Sequence, residues 1–293
     1  MLLAGCGVGP GEEKDAGAQL RVTRDFGQEL LAEAAADPIR EGETVMRLLR
    51  SREKRVDTSY GGKFVKSIDG LGSTSSGGRK DWFYFVNGME AGTGAAEREV
   101  EPNDVIQWDY REWEGAMRVP AIVGAFPEPM VNGFEGKKLP VRLECADAGE
   151  ACDTAESRLG DAGVTASRSS LGSVAGAEVI RVVVGRFDRI RKAQAPSLLA
   201  EGPGRSGVFA RFGRGGRRAL ELLDPQGELA REAPPGSGLV AVMALEQQGP
   251  VWMVTGADDA GVELAANALE ENTLRDAFAV AATPDGPVKL PVR

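Results

Sequence analysis

The sequence predicts an α+β protein built from two units, on three observations. First, the aromatic residues are unevenly placed: all three tyrosines (Tyr60, Tyr84, Tyr110) and three of the four tryptophans (Trp82, Trp108, Trp113) fall between positions 60 and 113. Second, that stretch holds two strongly alternating aromatic strands behind an amphipathic helix. Third, the remainder is aliphatic and alanine-rich, mixes strand and helix patterns, and has Trp252 as its one tryptophan. The break falls in Gly115-Ala116-Met117-Arg118-Val119-Pro120. The expected organisation is a terminal segment over 1–19, a first unit over 20–115 and a second unit over 120–293.

The elements follow in order. Leu20 to Phe26 alternates and reads as a strand, with a short second one around Glu29 to Leu31. Thr44 is placed to cap a helix whose apolar face is Val45, Leu48 and Leu49. Its last turn and exit carry Arg50, Arg52, Lys54 and Arg55, where cations complement the helix dipole. Phe64 to Ile68 is a strand, and Gly70 to Gly78 is a Gly/Ser-rich loop. Asp81 to Val86 and Val105 to Tyr110 are the best strands, and Asn87-Gly88 marks a tight turn between them. In the second unit, Leu139 to Cys145, Cys152 to Leu159 and Val179 to Gly185 form a β-α-β pattern. Gly207 to Phe212, Arg218 to Leu223, Leu239 to Ala244 and Val251 to Thr255 are further strands. A helix is expected over Asp259 to Glu270, with Asp258 at its N-cap.

Composition removes several chemistries. The chain has 293 residues and no histidine, which excludes Ser-His-Asp and Cys-His nucleophiles and His-ligated zinc or haem. A net charge of −9 argues against nucleic acid, whose phosphates need a positive footprint. Carboxylate, lysine and tyrosine chemistry survive, but no pair of acids stands out by its spacing. No run approaches the roughly eighteen apolar residues of a transmembrane helix.

The three cysteines sort by position. Leu3-Ala4-Gly5-Cys6 resembles a bacterial lipobox, behind Met1-Leu2-Leu3 as the tail of a signal peptide's apolar region. Lipidation of Cys6 would anchor the chain on the outer side of the cytoplasmic membrane, with the Gly-rich, charged segment after it as a tether. Cys145 and Cys152 flank a short turn, and in an oxidising compartment they are expected to form a disulfide. Free buried thiols and a metal pair are the alternatives.

The first unit carries a resemblance. Trp82-Phe83-Tyr84-Phe85-Val86-Asn87-Gly88 and Asn103-Asp104-Val105-Ile106-Gln107-Trp108-Asp109-Tyr110 resemble the transcobalamin C-terminal-like domain, with Gly42-Glu43-Thr44-Val45 resembling its helix start. The family's glycine is replaced by Asn103, which also tolerates a left-handed turn. The resemblance covers about residues 20–113 and implies a β-grasp fold that binds a small molecule. It makes Trp82, Tyr84, Asn87, Trp108 and Tyr110 the candidate ligand-binding residues and cobalamin, or another corrinoid, the candidate ligand. No covalent cofactor is implied. Alternation sends Trp82 and Tyr84 to one face and Phe83 and Phe85 to the other. One face would pack on the helix while the other offers rings to a ligand. The competing reading makes both faces core.

Two other features are weaker. Gly213-Arg214-Gly215-Gly216-Arg217-Arg218 lacks the lysine and hydroxyl of a phosphate loop and reads as a basic turn. Ser73 to Ser76 and Ser169-Ser170 have no visible base beside them. The expected function is therefore non-catalytic: a lipid-anchored, extracytoplasmic protein that binds a small molecule, with an uptake transporter as a candidate partner. A second reading is an envelope module that binds a protein or cell-wall glycan. A third is a carboxylate-dependent enzyme in the second unit.

Overall fold

The computed structural model describes residues 12–53, 55–72, 79–147, 149–172, 178–213, 219–244 and 248–293. Cys6, the serines at 73–76 and the arginines at 214, 217 and 218 lie outside the described residues. Helices and strands in several sheets make this an α+β protein, as expected.

The first unit opens with β1 (Ala18–Arg24) and β2 (Glu29–Ala36), an antiparallel hairpin. Its turn runs Asp25-Phe26-Gly27, all three at positive φ. Helix α1 (Val45–Arg52) follows; the Thr44 hydroxyl accepts from the Arg47 amide at 3.2 Å, and Val45, Leu48 and Leu49 are buried. A small sheet of β3 (Val56–Ser59), β4 (Phe64–Ile68) and β5 (Leu71–Gly72) covers the next stretch. β6 (Lys80–Val86), β7 (Met89–Glu90) and β8 (Val105–Glu112) complete the main sheet, in the order β2-β1-β8-β6-β7. β1 and β8 run parallel, and β6 is antiparallel to β8. Asn87 and Gly88 occupy the β6–β7 turn at φ 51° and 75°, the signs a two-residue hairpin needs.

The second unit has β9 (Val141–Cys145), α2 (Glu150–Asp161), β10 (Ala166–Ser170) and β11 (Ile180–Arg186). Three short helices follow, α3 (Phe187–Ile190), α4 (Gln194–Leu198) and α5 (Pro203–Ser206). A three-stranded sheet comprises β12 (Ala210–Phe212), β13 (Leu220–Leu223) and β14 (Leu229–Glu232). Then come β15 (Gly238–Met243), β16 (Val251–Gly256), α6 (Asp259–Asn267), α7 (Glu271–Leu274), β17 (Ala279–Thr283) and β18 (Gly286–Leu290). Seven strands join in the order β10-β9-β11-β16-β15-β17-β18. The β-α-β expectation omits β10, whose Ser-Arg-Ser-Ser run carries no apolar pattern and lies on the sheet edge. β17 and β18 are also additions to the expected set.

The segment expected as a tether ends sooner than composition suggests. Glu13 bridges to Arg40, the Lys14 amide donates to the Ile39 carbonyl at 2.9 Å, and its ammonium pairs with Glu101 at 3.0 Å. Gln19 already belongs to β1. Charge and glycine content hid these contacts because each is made by backbone or by a distant partner.

Candidate functional site

The aromatic strands are where the sequence places the ligand. Trp82 faces Tyr110 and Tyr84 faces Trp108 across the β6–β8 ladder. The ring centroids lie 5.3 and 4.9 Å apart, the second pair stacked. These rings point toward α1 and pack with Leu48, Leu49 and Ile68. Trp82 is only 5% exposed and Trp108 2%, while Tyr84 and Tyr110 are half-buried at the margin. The Trp82 indole donates to the Leu71 carbonyl at 3.1 Å, and the Tyr84 hydroxyl to the Thr93 carbonyl at 2.6 Å. Burial pushes the Tyr84 phenol up to about 12. Trp82 and Trp108 are therefore core residues, while Tyr84 and Tyr110 pack against that core and keep part of their surface exposed.

The opposite face of the same sheet is covered too. Phe83, Phe85 and Phe26 join a core with Phe209 and Phe278 of the second unit. Phe26 meets Phe209 at 4.9 Å and Phe278 at 5.2 Å, both edge-on. Between these rings lies a buried polar row from β1 and β8: Arg21, Thr23, Gln107, Asp109 and Arg111. The Asp109 carboxylate accepts from Thr23 at 2.7 Å and from the Phe26 and Gly27 amides at 2.9 and 2.8 Å. Burial raises its pKa, partly offset by those bonds. Arg111 donates to the Ala116 carbonyl at 2.8 Å and the Met117 carbonyl at 3.1 Å, with its guanidinium 3.8 Å from the Phe83 ring centre. Burial lowers its pKa to about 10. Gln107 reaches the Asp276 carbonyl at 2.9 Å. This row fastens one unit to the other, and sequence reasoning missed it because period-two polarity on a strand normally means solvent.

Asn87, the remaining ligand candidate, is 1% exposed. Its amide donates to Asp104 at 2.9 Å and to the Gly133 carbonyl at 2.7 Å, and its oxygen accepts from the Val105 amide at 2.8 Å.

Open concave surface lies instead where the two units meet. A cleft of about 420 Å³ is lined by Met89 of the first unit and by Phe134, Leu139, Ile180, Ala244 and Pro250 of the second. Its walls are mainly apolar, and its rim carries Glu135, Lys137 and Glu178, the last two paired at 3.2 Å but largely exposed. A second cleft of about 390 Å³ lies along the seam near Arg21, Asn103, Glu128 and Asn132. There the polar groups already serve one another: both Glu128 oxygens accept from Asn132, and Arg21 donates to Gln19 at 2.9 Å and Gly124 at 3.2 Å.

Two acids of the second unit, Asp258 and Glu144, have structural partners. Asp258 caps α6 through the Gly261 amide at 2.8 Å. Glu144, fully buried, is held by Arg181 at 2.6 and 2.8 Å and by the Gly172 amide at 3.2 Å. Cys145 and Cys152 form a disulfide with Cα atoms 6.1 Å apart, joining the end of β9 to the first turn of α2. Among the described residues, no group of three or more Cys, Asp or Glu is arranged to hold a metal ion. No described helix is long and apolar enough to cross a membrane.

Residues 42–112 match a family described as a domain of unknown function, DUF4430. The match spans about a quarter of the chain and falls within the aromatic first unit. No curated protein matches the chain. Among solved structures, the chain is similar to a proposed metal-binding protein from Ruminococcus gnavus ATCC 29149, at 18% identity and a TM-score of 0.27, over 33% of this chain and 98% of that one.

Proposed function

We propose that this chain is a non-catalytic binding protein of the cell envelope, and that its ligand occupies the junction cleft. The carrying observation is that cleft: a mainly apolar lining from the second unit with Met89 of the first at its edge, beside a first-unit sheet whose tryptophans are already buried. Apolar pockets at unit interfaces are the usual place for small-molecule sites, and 420 Å³ suits a compact apolar ligand. A corrinoid draws no support from this geometry, because the aromatic face that would meet its ring lies under α1.

The β-grasp reading is supported by connectivity: a β1–β2 hairpin, a crossover through α1, and β8 parallel to β1 at the centre of the sheet. The non-catalytic reading is supported by the use of the ionisable groups. Asp109, Arg111, Glu144 and Asp258 hold backbone or one another instead of facing a cleft. The disulfide supports an oxidising compartment, consistent with a lipid anchor at Cys6 and delivery of the ligand to an uptake transporter.

One observation favours the second reading, an envelope interaction module. Tyr60 is 85% exposed at the tip joining β3 to β4, with Phe64 beside it at 38%. Titration with the apolar dye Nile red separates the two. The cleft reading expects saturable fluorescence enhancement that Ala244→Arg abolishes and Tyr60→Ser leaves intact. Enhancement lost only with Tyr60→Ser contradicts it.

A further inference from the structure

The wall of the junction cleft that carries Phe134 belongs to neither main sheet. Phe134 and Lys137 form an isolated bridge, exchanging hydrogen bonds of 2.9 and 3.0 Å around Glu135 and Gly136. Both turn residues have positive φ, 51° and 71°, the two-residue hairpin geometry again. A hairpin this short has no independent stability, so its position must be imposed from outside.

The Gly133 amide donates to the Pro129 carbonyl at 3.1 Å, and the first unit supplies the side-chain grip. One N–H of the Asn87 amide holds Asp104 and the other holds the Gly133 carbonyl, directly before the hairpin. Asp104 also faces Arg98 at 3.6 Å, and the Arg98 guanidinium lies 5.8 Å from the centre of the Phe134 ring. Backbone and ring of the hairpin are thus gripped from one buried polar group. Asn87 is the residue that connects the β6–β7 turn to a cleft wall more than forty positions later in the chain.

We propose that Asn87 is a positioning residue for ligand binding: it fixes where Phe134 stands in the junction cleft and so sets the affinity for an apolar ligand. The proposal rests on the junction cleft being the ligand site. Asn87 does not touch the ligand. A wall held in place before binding need not be ordered during it, and that saving appears as affinity. The rim charges Lys137 and Glu178, being largely exposed, contribute little by comparison. The ligand class selected is a flat or aliphatic apolar body that packs against the Phe134 ring.

Two variants of the full chain test this. Asn87→Gly keeps the left-handed turn and removes the clasp. Asn87→Asp keeps the size and turns an acceptor toward the Gly133 carbonyl and Asp104. In both, the Phe134 and Lys137 amides should exchange with solvent at least about tenfold faster, as expected for loss of the buried hydrogen bond to the Gly133 carbonyl. Amides of β16 should be unchanged, which separates local release from unfolding. Nile red affinity should fall by about tenfold, and Phe134→Ala should lower it at least as far. Unaltered hairpin exchange in both variants overturns the role of Asn87 alone. Faster exchange with unchanged dye affinity also overturns it. A wild-type chain that binds no dye overturns the cleft as a site, and the positioning role with it.

Discussion

Trp108 and Tyr84 stand opposite each other on β8 and β6, stacked with ring centroids 4.9 Å apart and planes 26° apart. The indole is 2% exposed and packs beneath α1, so this pair is part of what holds the helix on the sheet. Trp108→Ala should therefore act on folding. A buried tryptophan cut to alanine costs about 3–5 kcal/mol, enough to lower the urea midpoint sharply. Trp108→Phe should recover most of that loss while leaving Nile red binding unchanged. A dye affinity that collapses in a fully stable Trp108→Phe chain would point back to the aromatic face.

The seam between the units makes a steric prediction. Gly27 has a φ of 70°, and a Cβ placed there would lie 1.8 Å from the Asp276 carbonyl oxygen. Asp276 cannot retreat freely, because its carbonyl accepts from Gln107 and its amide donates to Gly124 at 3.1 Å. Gly27→Ala should destabilise the chain by about 3 kcal/mol, combining overpacking with left-handed strain. Thermal unfolding checks it, with Gly61→Ala as a control, since Gly61 is also left-handed but meets nothing within 4 Å.

The buried acids predict an unusual pH profile. Burial raises the folded-state pKa of Asp109, Asp104, Glu90 and Glu128. A raised folded value means stability that is full below the unfolded carboxylate range, near about 4, and lost as pH rises through the folded value. The urea midpoint should therefore rise as pH falls from neutral toward that range. Below it, groups held low, such as Asp57 with its bonds from Ser67 and Arg55, reverse the trend. A midpoint that falls steadily from neutral pH contradicts this assignment.

Cys145 and Cys152 close a small loop, so the disulfide should contribute about 2 kcal/mol by loop entropy. Cys145→Ser with Cys152→Ser should lower stability by that amount without affecting dye binding. Both thiols should resist alkylation until a reductant is added. Radiolabelled palmitate should enter the chain in cells and be lost in Cys6→Ser; label persisting in that variant contradicts the anchor.

Much of the fold was legible in the sequence where its signals are local. Thr44 precedes an apolar face at helical spacing, Asn87-Gly88 sits between alternating strands, and Asp258 precedes α6; each cap or turn formed where its residue type predicts. The failures share a different cause. β2 starts where a short strand is expected but runs on through an exposed, alanine-rich stretch to Ala36, and β10 is polar; both depend on pairing with β1 or β9, which no local pattern reports. The junction cleft was invisible because Met89 and Ile180 are ordinary apolar residues until the two units meet. The same holds for Asp109 and Arg111, whose partners are turn amides and linker carbonyls brought in from elsewhere in the chain.

In the proposed function, ligand enters at the junction cleft and not at the aromatic strands. Backbone amide NMR of the isotope-labelled chain during Nile red titration tests it most directly. The account predicts shifts concentrated at Met89, Phe134, Leu139, Ile180 and Ala244, with Trp82 and Tyr110 unmoved. Shifts centred on Trp82, Tyr84, Trp108 and Tyr110, with the cleft silent, would contradict it.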